Sequence, residues 1–267
     1  MGYGMPIDAI LFDLDDTLIV DEAVSKEALQ STARLAATLA GAETATFLSD
    51  CKRFGFSLWK EGPCYDYVRS IGISYHECLW GKFDGDKPEL LKLREWAHAY
   101  RVNVFSAVLR SQNITDDDSA EKLALHFSQA RRKLQRLMPD AVETLTRLKA
   151  THKIALLTNG APDLQGEKIA ASGLAGFFDA IAISGVHGIG KPRAEIFHIL
   201  LDELQVEPNR AVMVGNSLER DIAGALNAQL ASSIWIQVPG SEELADVKPH
   251  HVVRGLHEIP AIVSALA

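Results

Sequence analysis

Long apolar runs are missing from this chain of 267 residues, and none reaches the roughly 20 residues that a membrane-spanning helix needs. Basic charge is also short. Against 35 Asp and Glu stand 27 Lys and Arg, a formal charge of −8, which argues against a dedicated nucleic-acid binder with its basic face. Anionic substrates are not excluded, because a bound divalent cation can dominate the local field. Cysteine is scarce and odd in number: Cys51, Cys64 and Cys78 are widely spaced, and nothing around them matches a zinc pattern even though His76 lies near Cys78. Three reduced thiols in a cytoplasmic protein are the expectation. Residues 1–6 hold no basic segment ahead of an apolar stretch, so no secretory signal is expected. Pro6 stands where a myristoylation signal needs Ser or Thr. Internal repeats and low-complexity tracts are absent as well.

What remains is an ordinary globular composition, 47% apolar and 23% charged, in a chain long enough for a full core and a second domain. Its texture divides into three blocks. Residues 7–14 read as a short buried strand that ends in Asp13-Leu14-Asp15-Asp16-Thr17-Leu18. Residues 21–137 read as helix after helix: Leu93, Trp96, Tyr100, Val104 and Val108 recur at helical spacing, and Asp116, Asp117 and Asp118 are placed to cap a helix over 120–137. Most of the aromatics of this block are expected to pack its core. From about residue 138, short Ile- and Val-rich runs at 153–157, 180–184, 211–215 and 233–237 alternate with helical patterns at 141–149, 166–172, 194–204 and 218–229. That alternation predicts βαβ units and an α/β fold, a doubly wound parallel sheet with helices on both faces. The core domain is thus expected over 1–20 and 138–267, with a second, all-helical domain over 21–137. His250 and His251 are expected to open an exposed final strand.

Four predicted strand ends carry polar clusters, and the ends of parallel strands are where such sheets bind ligands. The first holds Asp13 and Asp15. The second is Thr158-Asn159-Gly160, the third is Gly190-Lys191-Pro192, and the fourth is Gly215-Asn216-Ser217 followed by Asp221. A carboxylate can attack phosphorus and form an aspartyl-phosphate that water then hydrolyses. Such chemistry needs an acid/base for the leaving group and the water, a hard cation with oxygen ligands, and donors for the phosphoryl oxygens. Each cluster offers one of these parts.

With these motifs in order the chain resembles the haloacid dehalogenase-like superfamily, in its phosphatase branch. The segment DLDDTL is the most specific of the four signatures, and Gly215 to Ala225 resembles the family's fourth motif running into its helix. The resemblance implies Asp13 as nucleophile and Asp15 as general acid/base. It implies Thr158 and Asn159 as phosphate ligands, with Lys191 stabilising the transferring charge. It implies magnesium held by Asp13, the Asp15 carbonyl and the fourth motif, through Asn216 and Asp221. It further implies a strand order 5-4-1-2-3 with the Asp13 strand central, a helical cap inserted after the first motif, and a small soluble phosphomonoester as substrate and partner. Arg53, Trp59, Lys60, Tyr65 and Lys82 are candidates for substrate contacts in that cap.

One position departs from the pattern. Asn216 stands where the family usually has Asp; its amide oxygen is still a hard ligand, but the site loses one negative charge. Dehalogenases of the superfamily carry Ser-Asn at this place and use no metal, yet they lack the second acid of the first motif. Asp15 therefore favours a phosphatase. The alternatives are a 2-haloacid dehalogenase, a catalytically weakened binding protein, and phosphoryl transfer to an acceptor other than water.

Overall fold

The computed structural model describes residues 6–238 and 246–266. Residues 1–5, 239–245 and 267 of the expected core domain lie outside that range. The chain forms two compact units. One comprises 1–20, 136–160 and 167–267, the other 21–135 together with 161–166.

The first unit is built on a parallel sheet. Its strands are β1 (Ala9–Phe12), β2 (Lys153–Thr158), β3 (Ala180–Ile183), β4 (Ala211–Gly215), β5 (Ser232–Ile236) and β6 (His251–Val253). Their order is β3-β2-β1-β4-β5-β6, all pairs parallel. This is the expected order with a sixth strand added outside β5. Side chains alternate between the two faces of each strand. Ile10, Phe12, Leu156 and Val214 pack on one face with Leu145 and Ile259, while Ala9, Leu11, Ala155 and Met213 pack on the other with Phe197 and Leu200. Both faces are covered by helices, which is why the central strands are apolar throughout rather than alternating.

The second unit is helical. Helices Glu22–Ala40, Phe47–Lys60, Pro88–Ser111 and Asp117–Lys133 supply most of its core. Leu93, Tyr100, Val104 and Val108 are buried as their spacing predicts, and half-buried Trp96 stacks on Tyr100 with ring centres 4.4 Å apart. Asp116 caps its helix through a 2.9 Å bond from the Ser119 amide. Ala161 and Leu164 join this core; of the helix Pro162–Ser172, residues 162–166 belong to the helical unit and 167–172 to the sheet unit.

Several boundaries differ from the sequence reading, each for a local reason. β1 stops at Phe12 because the chain turns at Leu14, whose carbonyl accepts from the amides of Thr17, Leu18 and Ile19. The helix predicted to run to 137 ends at Lys133, since Leu134 is extended and Leu137 forms an antiparallel bridge with Ile19. The helix predicted from 166 begins at Pro162, a residue suited to a first helical turn because its missing N–H needs no partner there. The stretch 218–229 opens as a π-turn, Leu218–Ile222, in which the Asp221 and Ile222 amides both return to the Ser217 carbonyl; the α-helix follows only over Ala223–Asn227. Ser184 leaves β3 to start a short helix. His250 lies just before β6, with Nδ1 2.9 Å from Ser233 Oγ. All three cysteines are free thiols, and burial pushes Cys51 and Cys78 well above the ordinary thiol range. Among the described residues no helix is long and apolar enough to cross a membrane.

Candidate active site

The pairing register brings three of the expected motifs to one end of the sheet. Phe12 is level with Leu156 on one side and Val214 on the other, so the residues that follow all emerge at the same edge. The ladder runs one step further, with the Asp13 amide donating to the Val214 carbonyl at 3.0 Å. Asp13 is therefore held by its backbone in line with the sheet and has little freedom beyond its side-chain torsions.

Lys191 joins this edge from the loop after β3. Its ammonium lies 2.6 Å from Asp13 Oδ1, 2.7 Å from Asp221 Oδ1 and 2.7 Å from the Leu157 carbonyl. The backbone behind it is fixed by Asn159, whose side-chain amide receives the Lys191 N–H at 2.9 Å and donates to the Lys191 carbonyl at 3.0 Å. Asn159, expected to hold phosphate, thus also places Lys191. Thr158 ends β2 fully buried, as an apolar strand running into a polar tip requires. The turn beyond it is tight: Gly160 sits at φ 145°, and its amide donates to Ser184 Oγ at 2.9 Å.

Asp221 is 1% exposed and was expected to help hold magnesium. The structure turns it toward Lys191, and its other oxygen accepts from the Ser217 amide at 2.9 Å. The room for it comes from Gly215, where a Cβ would lie 2.2 Å from Asp221 Oδ2. Any side chain at 215 would expel Asp221 from this position. One ammonium thus faces two buried carboxylates. Burial by itself would lower Lys191, but Asp13 and Asp221 outweigh it and hold the lysine above its ordinary value. Burial raises Asp221 to about 6, with the like charge of Asp13 adding to the rise and Lys191 opposing it.

Thr17 and Asn216 mark the other side of Asp13. The Thr17 hydroxyl lies 3.2 Å from Asp13 Oδ2 and 3.4 Å from Asn216 Oδ1, so both oxygens face that hydroxyl. Asn216 is anchored from behind by the indole of Trp235, which donates to its carbonyl at 2.9 Å. A carboxylate and an amide oxygen are hard donors of the kind magnesium takes, usually one or two carboxylates with water and substrate oxygens completing the shell. Among the described residues no three Asp, Glu, His or Cys side chains form a ready cluster. Asp13 and Asn216 offer such oxygens, and Asp221, also expected to help hold the ion, lies against Lys191.

Asp15 stands apart from this cluster. Its two oxygens each lie 2.9 Å from the ammonium of Lys168, which is 2% exposed. The sequence reading missed Lys168, although a signal was present: Ala161, Leu164, Gln165, Lys168 and Ile169 form a buried helical stripe with a lysine inside it. Thr17 and Ser184 were missed as well, because a hydroxyl alone carries little signal.

A family model for haloacid dehalogenase-like hydrolases matches residues 7–229. The chain belongs to that family. This hydrolase is 35% identical to the phosphoserine phosphatase of Thermus thermophilus over 94% of its own length and 96% of the relative's. It is 29% identical to human N-acylneuraminate-9-phosphatase, over 97% and 95% of the two chains. Among solved structures, a putative hydrolase of the same superfamily from Bacillus subtilis, bound to magnesium, superposes with a TM-score of 0.68 at 21% identity, covering 97% of this chain and 99% of the other. That likeness shows the shared fold.

Proposed function

We propose that this hydrolase is a phosphatase acting on small soluble phosphomonoesters through an aspartyl-phosphate on Asp13. The observation that carries the reading is the pairing at one strand end of a nucleophile with a second acid, Asp15, two residues on, which displacement at carbon does not need. In the first step a carboxylate oxygen of Asp13 bonds to phosphorus as the phosphorus–oxygen bond to the leaving group breaks, and Asp15 gives its proton to the departing oxygen. In the second, water attacks phosphorus, its proton passes to Asp15, and Asp13 is released as the carboxylate along with inorganic phosphate. Lys191 supplies fixed positive charge beside Asp13, which favours the extra negative charge carried by an incoming phosphoryl group. Thr158 supplies a hydroxyl for the phosphoryl oxygens. Magnesium, held by the Asp13 and Asn216 side chains and the Asp15 carbonyl, would neutralise charge between nucleophile and phosphate. The helical unit is read as the cap that selects the substrate, and the three free thiols support a reducing compartment such as the cytoplasm.

The names of the two relatives, phosphoserine phosphatase and N-acylneuraminate-9-phosphatase, support a substrate among small phosphorylated metabolites. A panel containing phosphoserine, sugar phosphates, nucleotides and p-nitrophenyl phosphate, assayed for phosphate release with magnesium and with chelator, tests the reading. Magnesium-dependent turnover of at least one compound is expected. Release of chloride from 2-chloropropionate with no phosphate released from any compound would replace it with the dehalogenase reading that Asn216-Ser217 echoes.

A further inference from the structure

Resting on the phosphatase reading, we infer that Lys168 is a positioning residue for the proton-transfer step: its ammonium, bound to both oxygens of Asp15, fixes where that carboxyl group meets the leaving oxygen.

The backbone of Asp15 is already set. Asp15 bridges to Ile19, and the next residue, Asp16, sits at φ 56° with its amide 2.8 Å from the Ile19 carbonyl. The freedom left to Asp15 is in its side-chain torsions, and a two-point contact with a buried ammonium removes it. Stability does not account for the lysine. Desolvating an ammonium costs several kcal/mol, and buried ion pairs are often no more stabilising than apolar side chains of the same shape. Lys168 occupies a helical stripe with Ala161, Leu164 and Ile169, where an apolar residue would pack without that cost. It is also separate from the Lys191 cluster: Lys191 contacts Asp13 and Asp221, while Lys168 contacts Asp15. The two lysines thus divide the two catalytic carboxylates between them.

The geometry suits both halves of the reaction. When Asp15 carries the proton, one oxygen accepts from Lys168 and the other presents its O–H to the leaving oxygen. Once the proton has moved to that oxygen and the phosphorus–oxygen bond has broken, both oxygens accept from the ammonium in the arrangement seen here. A group held within a fraction of an ångström of its productive place avoids the orientational penalty that a mobile one incurs.

The test compares kcat/KM, which reports events up to formation of the aspartyl-phosphate, on two substrates with the magnesium-loaded enzyme. Phenyl phosphate needs a proton on its leaving oxygen, and 2,4-dinitrophenyl phosphate does not. Lys168→Met is expected to lose about 100-fold on phenyl phosphate, the lower range of general-acid effects, and only about threefold on the dinitrophenyl ester. Lys168→Arg is expected to restore part of the phenyl phosphate rate. The double variant with Asp15→Asn should be no slower on phenyl phosphate than Asp15→Asn alone, because the two residues act as a unit. Equal losses on both substrates, additive losses in the double variant, or a faster Lys168→Met enzyme would overturn the inference; the last would mean that Lys168 holds Asp15 away from the reaction. If Lys168→Met does not fold, the same substrate ratio is read from Lys168→Arg: a larger loss on phenyl phosphate supports the inference, and equal losses overturn it. Failure of the phosphatase reading would show elsewhere, as no phosphate release by the wild type or as activity surviving Asp13→Asn.

Discussion

The sheet unit and the helical unit both bury a cation, and they do so to different ends. In the helical unit, Arg131 is 1% exposed. It pairs with Asp21, donates to Ser25 Oγ at 2.8 Å, and lies over the Trp80 ring at 4.9 Å. One cation meets one carboxylate, and the remaining donors find neutral partners. In the sheet unit Lys191 meets two carboxylates, and Asp13 also turns its second oxygen toward Thr17 and Asn216. The first arrangement is balanced and ties helices together. The second carries surplus negative charge at a strand end. Charge balance, more than burial, separates the Arg131 cluster from the Lys191 cluster.

That contrast is open to direct attack. The largest effect is expected from Asp13→Asn, which should cut phosphate release by at least about 10⁴-fold, as removal of a nucleophile does in other hydrolases. Because one of two anions sharing Lys191 disappears, the variant should unfold at the wild-type temperature or above it, measured by thermal denaturation; a marked drop would show that Asp13 is structural. Lys191→Met should be the reverse case. It leaves two buried carboxylates uncompensated and is expected to lose about 3–5 kcal/mol of unfolding free energy in urea, with turnover lost as well. Arg131→Met should lower stability too, by about 1–3 kcal/mol since Asp21 retains some solvent, while kcat per folded molecule stays near the wild-type value. Loss of kcat without loss of stability would make Arg131 part of the chemistry.

Asn216→Asp tests the surplus charge from the other side. A second carboxylate beside Asp13 should tighten the apparent magnesium affinity, roughly tenfold, read from the metal dependence of turnover. No change would take Asn216 out of the metal shell. The smallest effect belongs to His76 in the helical unit, which burial lowers to about 4, against a partial upward pull from Asp21. The folded protein therefore keeps this ring neutral while the unfolded chain protonates it near 6.5. Its contribution to stability is complete above pH 6.5 and is lost as pH falls toward 4. The stability difference between wild type and His76→Gln, followed by chemical denaturation, should be flat above pH 7 and shift in favour of the variant between pH 6.5 and 4.

Much of the site is legible in sequence because its parts are local. Asp13 and Asp15 sit two residues apart after an apolar run, and Thr158 and Asn216 likewise end runs whose composition marks them as buried strands. The parallel register then carries them to one edge without further information. What sequence could not show is partnership across long separations. Lys168 meets Asp15 from 153 residues away, and Asn159 reaches 32 residues to hold the Lys191 backbone. Asp221 is the instructive case. The resemblance implies a metal ligand there, and the π-turn over Leu218–Ile222 and the space left by Gly215 bring it against Lys191, a partner that no local pattern announces. Local pattern identifies which residues are polar at a strand end; tertiary packing decides which of them face one another.

The central claim is that Asp13 becomes phosphorylated during turnover. Quenching the magnesium-loaded enzyme in acid during steady turnover of p-nitrophenyl phosphate, reducing with borohydride and sequencing the peptides by mass spectrometry reads it directly, because an acyl phosphate is reduced to the alcohol. The expected result is homoserine at position 13 and unmodified aspartate at positions 15, 16 and 221. Turnover with position 13 unmodified, or homoserine at another position, would contradict the account.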